Sequence, residues 1–187
     1  MFAQYNLGRC YWTGDGVSIN KAQSVAWLRK SASKGFSDAQ FLLGFFYFDG
    51  VNVEKDVVAG VKLYRQAASN GHPGAQEALG LCYLNGEGVP KDDQEAASWL
   101  LKSAEQGLVE AQFHLGRLYA VGMGVQKSRI EAYAYWNLAG TTNETSRASR
   151  AKLELEMSAE DILAGQARTR ALQKEIEAKI AAKKAGK

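Results

Sequence analysis

Apolar residues in this 187-residue chain recur three or four positions apart over short stretches, and most of these stretches run into glycine. In "AQEALGLCYLNGEGV", residues 75–89, Ala75, Leu79 and Tyr83 share one face at i, i+4 and i+8, the spacing of an amphipathic helix. Gly86 then supplies a C-terminal stop. Three further stretches, "AQYNLGRCYWTGDGV" (3–17), "AQFLLGFFYFDGVNV" (39–53) and "AQFHLGRLYAVGMGV" (111–125), align with it without a gap, 36 residues apart each time. A fixed period of this length marks stacked supersecondary units.

Each period predicts two helices, A and B. Helix A runs from Ala3, Ala39, Ala75 or Ala111 to just past Tyr11, Tyr47, Tyr83 or Tyr119, and Gly14, Gly50, Gly86 and Gly122 stop it. Helix B starts at Asn20, Asp56, Asp92 and Ser128, all good N-caps. Gln23, Glu95 and Glu131 stand where the partner of a capping box belongs. Trp27, Leu63, Trp99 and Tyr135 are the expected apolar face of helix B, and Gly35, Gly71 and Gly107 close it.

A glycine inside a helix costs about 1 kcal/mol relative to alanine, yet Gly8, Gly44, Gly80 and Gly116 repeat at one position of helix A. Close approach of a neighbouring helix backbone is the expected compensation. Helix pairs of this kind bury their apolar faces only by stacking. The expected fold is therefore all-α, a right-handed α-α superhelix of four 36-residue helix-turn-helix repeats, at about 1–35, 36–71, 72–107 and 108–143. An extension over 144–187 follows: Asn143 caps a helix from Glu144 to about Met157, and Ser158 with Asp161 opens a longer one to about Lys183. Ile162, Gly165, Thr169, Leu172, Ile176 and Ile180 form its narrow stripe.

Composition agrees with one globular domain, 46% hydrophobic and 23% charged, with two prolines. No apolar run approaches the length of about 18 residues needed to span a bilayer. The opening "MFAQYNLGRC" lacks the basic start and apolar stretch of a secretory signal. That favours the cytoplasm, although Met1 abuts a helix interior, so an earlier segment or lost signal stays open. The excess charge of +3 lies wholly in residues 144–187, with 10 basic against 7 acidic groups. Its lysines alternate with Glu175 and Glu177, which reads as a solvated helix face and not a nucleic-acid contact.

The pattern "AQxxLGxxYxxGxGV", followed by a capped helix with Trp or Tyr and a small-small-x-x-Gly ending, resembles the Sel-one-like repeat (SLR) family, relatives of the tetratricopeptide repeats. Tails like "MSAEDILAGQ" are also similar to ones that close SLR proteins. The resemblance implies an α-solenoid acting as an adaptor or scaffold for protein complexes, often bacterial, without catalysis or cofactor. One branch of the family is secreted and pairs two cysteines within each repeat. This chain departs from it: Cys10 and Cys82, its only cysteines, share one helix-A position two repeats apart. That is too far for a disulfide, whose Cα atoms lie within about 7 Å, so both are read as core thiols.

Candidate chemistry is sparse. The doubled glycines resemble a phosphate loop, but "TGDGV", "DGVNV", "NGEGV" and "VGMGV" occur four times, with Asn52 replacing one glycine. No strand precedes them and no Lys-Ser/Thr follows, so they are read as left-handed turns. "SASK", Ser31 to Lys34, matches the S-x-x-K of penicillin-recognising enzymes and supplies the enzymatic alternative, a serine hydrolase. Neither S-D-N nor K-T-G accompanies it. His72 and His114 have no ligand-spaced neighbours for a metal.

Positions that vary among repeats while the frame stays fixed are free of packing duty. In helix A these form three rows: Asn6, Leu42, Ala78 and His114; Arg9, Phe45, Leu81 and Arg117; Thr13, Asp49, Asn85 and Val121. In tetratricopeptide-like arrays helix A lines the concave side, so these rows are the expected surface for a protein or peptide. Phe45 either anchors that partner, as aromatic residues do at hot spots, or is buried by neighbouring repeats, the preferred reading. A third reading makes the molecule an oligomer through Leu172, Ile176 and Ile180.

Overall fold

The structure is a computed structural model and describes residues 1–185. Its contacts fall into two compact units, Met1–Lys91 and the residues from Asp92 onward. The first unit holds α1 (Phe2–Thr13), α2 (Lys21–Ala32), α3 (Ser37–Asp49), α4 (Val57–Ser69) and α5 (Pro73–Asn85). The second holds α6 (Asp93–Ala104), α7 (Val109–Val121), α8 (Arg129–Ala139), α9 (Glu144–Glu154) and α10 (Ala159–Ala185). All ten elements are helices, so the all-α expectation holds among the described residues. α1, α3, α5 and α7 are the helices A; α2, α4, α6 and α8 are the helices B.

The turn chemistry is as expected. Gly14, Gly50, Gly86 and Gly122 end the helices A with φ between 72° and 80°. Asn52 takes the second glycine's place with φ 60°, a conformation that asparagine tolerates better than most residues.

Each helix B is capped at its expected residue. Asn20 Oδ1 accepts from the Gln23 N–H at 3.0 Å, Asp56 Oδ1 from Ala59 at 2.9 Å, Asp92 Oδ1 from Glu95 at 3.0 Å and Ser128 Oγ from Glu131 at 3.2 Å. The reciprocal half of the capping box differs from expectation. The N–H groups of Asn20, Asp56 and Ser128 instead donate to the carbonyls of Tyr11, Tyr47 and Tyr119, at 2.9, 2.8 and 2.9 Å. The preceding helix already satisfies that donor, which leaves Glu131 free to pair with Arg168 at 2.8 Å.

The recurrent mid-helix glycine is a hole for a side chain more than a backbone contact. A Cβ on Gly8 would stand 3.0 Å from Leu28 Cγ, on Gly44 2.8 Å from Tyr64 Cδ1, and on Gly116 2.6 Å from Trp136 Cδ1. Backbone comes next, with the Gly60 carbonyl oxygen 3.2 Å from the position on Gly44. The hydrophobic face of helix B is accordingly shifted by one residue from the expected row. Leu28, Tyr64, Leu100 and Trp136 are buried, whereas Trp27, Leu63 and Trp99 are only half-buried; Tyr135, the fourth of the expected row, is buried beside Trp136. Lys30 and Lys102 lie over the exposed faces of Trp27 and Trp99, at 4.3 and 4.0 Å.

The glutamine of the second, third and fourth "AQ" pairs ties a helix A to the helix B before it. Gln40, Gln76 and Gln112 are buried and donate through Nε2 to the carbonyls of Ala32, Ala68 and Ala104 at 3.3, 3.1 and 3.3 Å. Those carbonyls belong to the last turn of a helix, where intrahelical partners run out. The adjacent alanines, Ala39, Ala75 and Ala111, have no exposed surface.

In the second unit α10 packs across α8. Tyr133 fills the place of a side chain on Gly165, and Thr169, Leu172 and Ile176 are buried with it. Further along, Ile176 and Ile180 reach Gly107, while Lys179 meets Glu105 at 2.8 Å. The stripe offered as an oligomer contact is thus largely used inside the chain: Leu172 is 4% and Ile176 8% exposed.

Candidate partner-binding surface

In each helix A, the residues facing away from helix B lie three or four apart, at the spacing of one solvent face. On α1 these are Asn6, Arg9 and Thr13; Arg9 and Thr13 are exposed, and the Thr13 hydroxyl donates to the Arg9 carbonyl at 3.1 Å. The Arg9 guanidinium lies 5.8 Å from the Tyr5 ring centroid. On α3, Leu42 is half-buried against the first unit's core, Phe45 is 38% exposed and Asp49 is exposed. Phe45 therefore keeps a solvent-facing edge against the preferred reading of burial, although its ring leans on Phe46 at 6.2 Å. On α5, Ala78 and Leu81 are half-buried and Asn85 is exposed, its amide donating to Glu87 at 3.4 Å.

The second unit contributes α7. Arg117 and Val121 are exposed there, and His114 is half-buried beside Phe113. Burial lowers the His114 pKa below 6.5, the Arg117 cation lowers it further, and Glu110 opposes both. The row containing position 13 is exposed in all four copies and the row containing position 9 in three, whereas the row containing position 6 is half-buried.

Two grooves away from these rows escaped sequence reasoning. In the first unit, Arg29, Tyr47 and Val53 to Val58 line a cavity of about 670 Å³. In the second, Tyr119, Val125, Gln126, Lys127, Ser128 and Glu131 line one of about 560 Å³. The two are equivalent, 72 residues apart, set between the shared tyrosine and the turn into helix B. A smaller cavity of about 260 Å³ adjoins the second at Tyr119 and Val125 and is floored by Ala97, Leu101 and Leu115. The signal that could have found these sites lies in helix B, where Arg29 and Arg65 share one repeat position and Leu101 departs from them.

His72 also has a role that the spacing did not reveal. Its Nδ1 caps α5 by accepting from the Ala75 N–H at 3.0 Å, its ring stacks on Phe41 at 4.5 Å, and Nε2 lies 3.5 Å from Asp38. These contacts join α3 to α5.

The serine hydrolase alternative lacks its nucleophile. Ser31 has no exposed surface, and its hydroxyl donates to the Met1 carbonyl at 2.8 Å, while Lys34 is exposed to solvent. Cys10 and Cys82 are both free thiols. Cys82 is buried, and burial, with Glu87 and Glu77 adding to it, pushes its pKa up to about 12. Cys10 is only half-buried. Among the described residues no cluster of His, Cys, Asp or Glu suits a metal ion, and no helix is long and apolar enough to cross a membrane.

Helix pairs in one register, each with a capped B and a variable solvent face on A, and with a glycine hole shown on three of the helices A, define a tandem helical-repeat protein of the solenoid class. A family model described as Sel1 repeat matches residues 2–36, 37–72, 73–108 and 109–141, and the chain belongs to this family.

Its structural neighbours agree. A protective antigen present in uropathogenic Escherichia coli strains and displaying an SLR fold superposes with a TM-score of 0.87 at 34% identity, covering 97% of this chain. A Sel1 repeat protein from Oxalobacter formigenes superposes with a TM-score of 0.76 at 33% identity over 81% of this chain. The chain spans 39% and 45% of the lengths of these two proteins. No curated protein matches it significantly. Sel1 repeat proteins are generally scaffolds for protein interaction and typically not enzymes.

Proposed function

We propose that this chain is a non-catalytic scaffold that holds a peptide or partner protein on the solvent faces of its helices A. The face on α1, α3 and α5 serves in the first unit, and that on α7 in the second. One observation carries the reading: the frame residues Ala39, Leu43, Ala75, Leu79, Ala111 and Leu115 are buried while Arg9, Thr13, Phe45, Asp49, Asn85, Arg117 and Val121, at positions that vary among the copies, face water. A surface free of packing duty can diversify without cost to the fold.

Asn6, Leu42 and Leu81, half-buried, lie beside these anchors in the first unit, and His114, half-buried, does so in the second. Arginines and an exposed aromatic edge supply the residue types enriched at interface hot spots. The test is affinity capture with the wild-type chain against an Arg9→Glu/Arg117→Glu version, both shown to melt alike, with captured proteins identified by mass spectrometry. Loss of a specific partner from the double variant supports the surface; an identical catch from both refutes it.

A further inference from the structure

One row of helix B lies against the shared tyrosine of the next helix A. In the first unit both members of the row are arginines set over that ring. The Arg29 guanidinium is 5.6 Å from the Tyr47 centroid and the Arg65 guanidinium 5.5 Å from that of Tyr83. Arg29 also donates from Nε at 3.1 Å and Nη2 at 2.6 Å to the Tyr47 hydroxyl. The frame has thus solved the same recognition problem twice with the same partner, a guanidinium on a tyrosine.

In the second unit Leu101 stands where those arginines stand, so that position offers the Tyr119 ring no cation. Tyr135 stacks on one face of the ring at 5.7 Å. Beside Tyr119 lies the cavity of about 260 Å³ lined by Ala97, Leu101, Leu115 and Val125. It adjoins the larger groove that adds Lys127 and Glu131. Glu131 accepts Arg168 through Oε1, and its buried Oε2 has no hydrogen-bond partner among the described residues. The equivalent residue beside Tyr47 is Ala59, which offers no such acceptor. At Tyr119 the repeat frame therefore keeps the aromatic ring, adds a carboxylate and places no cation from helix B over the ring, the nearby Arg168 coming from α10 and being held by Glu131 and Glu175.

The geometry points to a binding site for an arginine side chain of a partner protein, presented to Tyr119 in trans as Arg29 and Arg65 are presented in cis to their own tyrosines. Its aliphatic stem lies along Ala97, Leu101 and Val125, as long cationic side chains do over apolar surface. Its guanidinium covers the Tyr119 ring on the side away from Tyr135 and donates to the hydroxyl, near the Glu131 carboxylate. A planar guanidinium suits stacking on the ring together with a donated bond better than an ammonium does.

The other charges facing the groove are compatible. Lys127 is exposed, and its counterpart Lys55 lines the groove that already holds Arg29. Arg168 is paired with both Glu131 and Glu175.

The arginine site rests on the scaffold reading and adds what one groove recognises. The test titrates the isotope-labelled full chain with Nα-acetyl-arginine amide, followed by NMR, with the citrulline and lysine counterparts as controls. Shifts should centre on Leu101, Tyr119 and Glu131, with arginine binding about tenfold tighter than neutral citrulline. Leu101→Arg, which gives this repeat the residue of the other two, should melt like the wild type and lose binding by about tenfold or more, because the site fills itself.

Glu131→Ala, which copies Ala59, should also weaken binding, and serves if the first variant fails to fold. Equal binding of citrulline, absence of shifts at these residues, or undiminished binding by both variants overturns the proposal. An arginine response without any protein partner would sink the scaffold reading alone. A partner held equally by wild type and Leu101→Arg, with no arginine response, would sink the arginine site alone.

Discussion

Replacing Gly116 by alanine sets two effects of known sign against each other. In an open helix the change stabilises by about 1 kcal/mol, because alanine loses less conformational freedom. Here the new Cβ would stand 2.6 Å from Trp136 Cδ1, 2.7 Å from Nε1 and 3.1 Å from Cγ. These atoms lie at the rigid root of the indole, so the whole ring must move. Trp136 is 8% exposed, and its N–H donates to the Phe113 carbonyl at 3.2 Å. Overpacking of this kind costs about 1–3 kcal/mol, and a buried donor left without its acceptor about 1–3 more.

The net expectation for Gly116→Ala is a loss of about 2 kcal/mol, which in a chain of this size lowers the Tm by about 4–8 °C. Gly8→Ala should cost much less, since its nearest atoms belong to the flexible Leu28 side chain at 3.0 and 3.1 Å. In a Trp136→Leu background the added cost of Gly116→Ala should shrink toward that of Gly8→Ala. Thermal and urea unfolding followed by circular dichroism measure all three. A Gly116→Ala protein as stable as the wild type would refute the hole-and-side-chain account of the repeated glycine.

Three further outcomes are expected. Asp56→Ala removes the side-chain cap of α4 and should cost about 1 kcal/mol by urea unfolding, since the Ala59 N–H loses its partner at 2.9 Å. The lowered His114 pKa means that the unfolded chain takes up this proton first as pH falls. Its contribution is fully present above 6.5 and is lost as pH falls through the window between 6.5 and the lower folded value, so His114→Gln should flatten that part of the stability–pH curve. Cys82, with its thiol pushed to about 12, should resist iodoacetamide at about pH 8 in the native state and react once urea unfolds the chain, as read by mass spectrometry.

The repeat frame was legible because each of its devices is local. A left-handed turn demands Gly14 or Asn52, and a helix start demands Asn20 or Asp56, whatever lies far away. Register across the A–B interface was less legible: Leu28 and Tyr64 displace Trp27 and Leu63 from the core because the glycine holes receive one residue further along, a fact set by packing. The "AQ" glutamines recur as plainly as the glycines, yet their purpose appears only when the preceding helix is in place. The helix-A rows follow from periodicity, whereas the Tyr47 groove needs Arg29, 18 residues away in sequence, brought against the ring. Phe45 shows the limit: four consecutive aromatics forecast one outlier but not how much of its ring meets water.

The bonds across the two kinds of turn differ in what they ask of a residue. Between A and B, the first N–H of the new helix meets a tyrosine's main-chain carbonyl, an acceptor that any amino acid would provide. Between B and the following A, Gln40, Gln76 and Gln112 must supply an amide side chain. Recombining modules from related proteins should therefore succeed more readily with crossovers inside the A–B loops than at the tighter B–A junctions, where the incoming piece must arrive with its own glutamine.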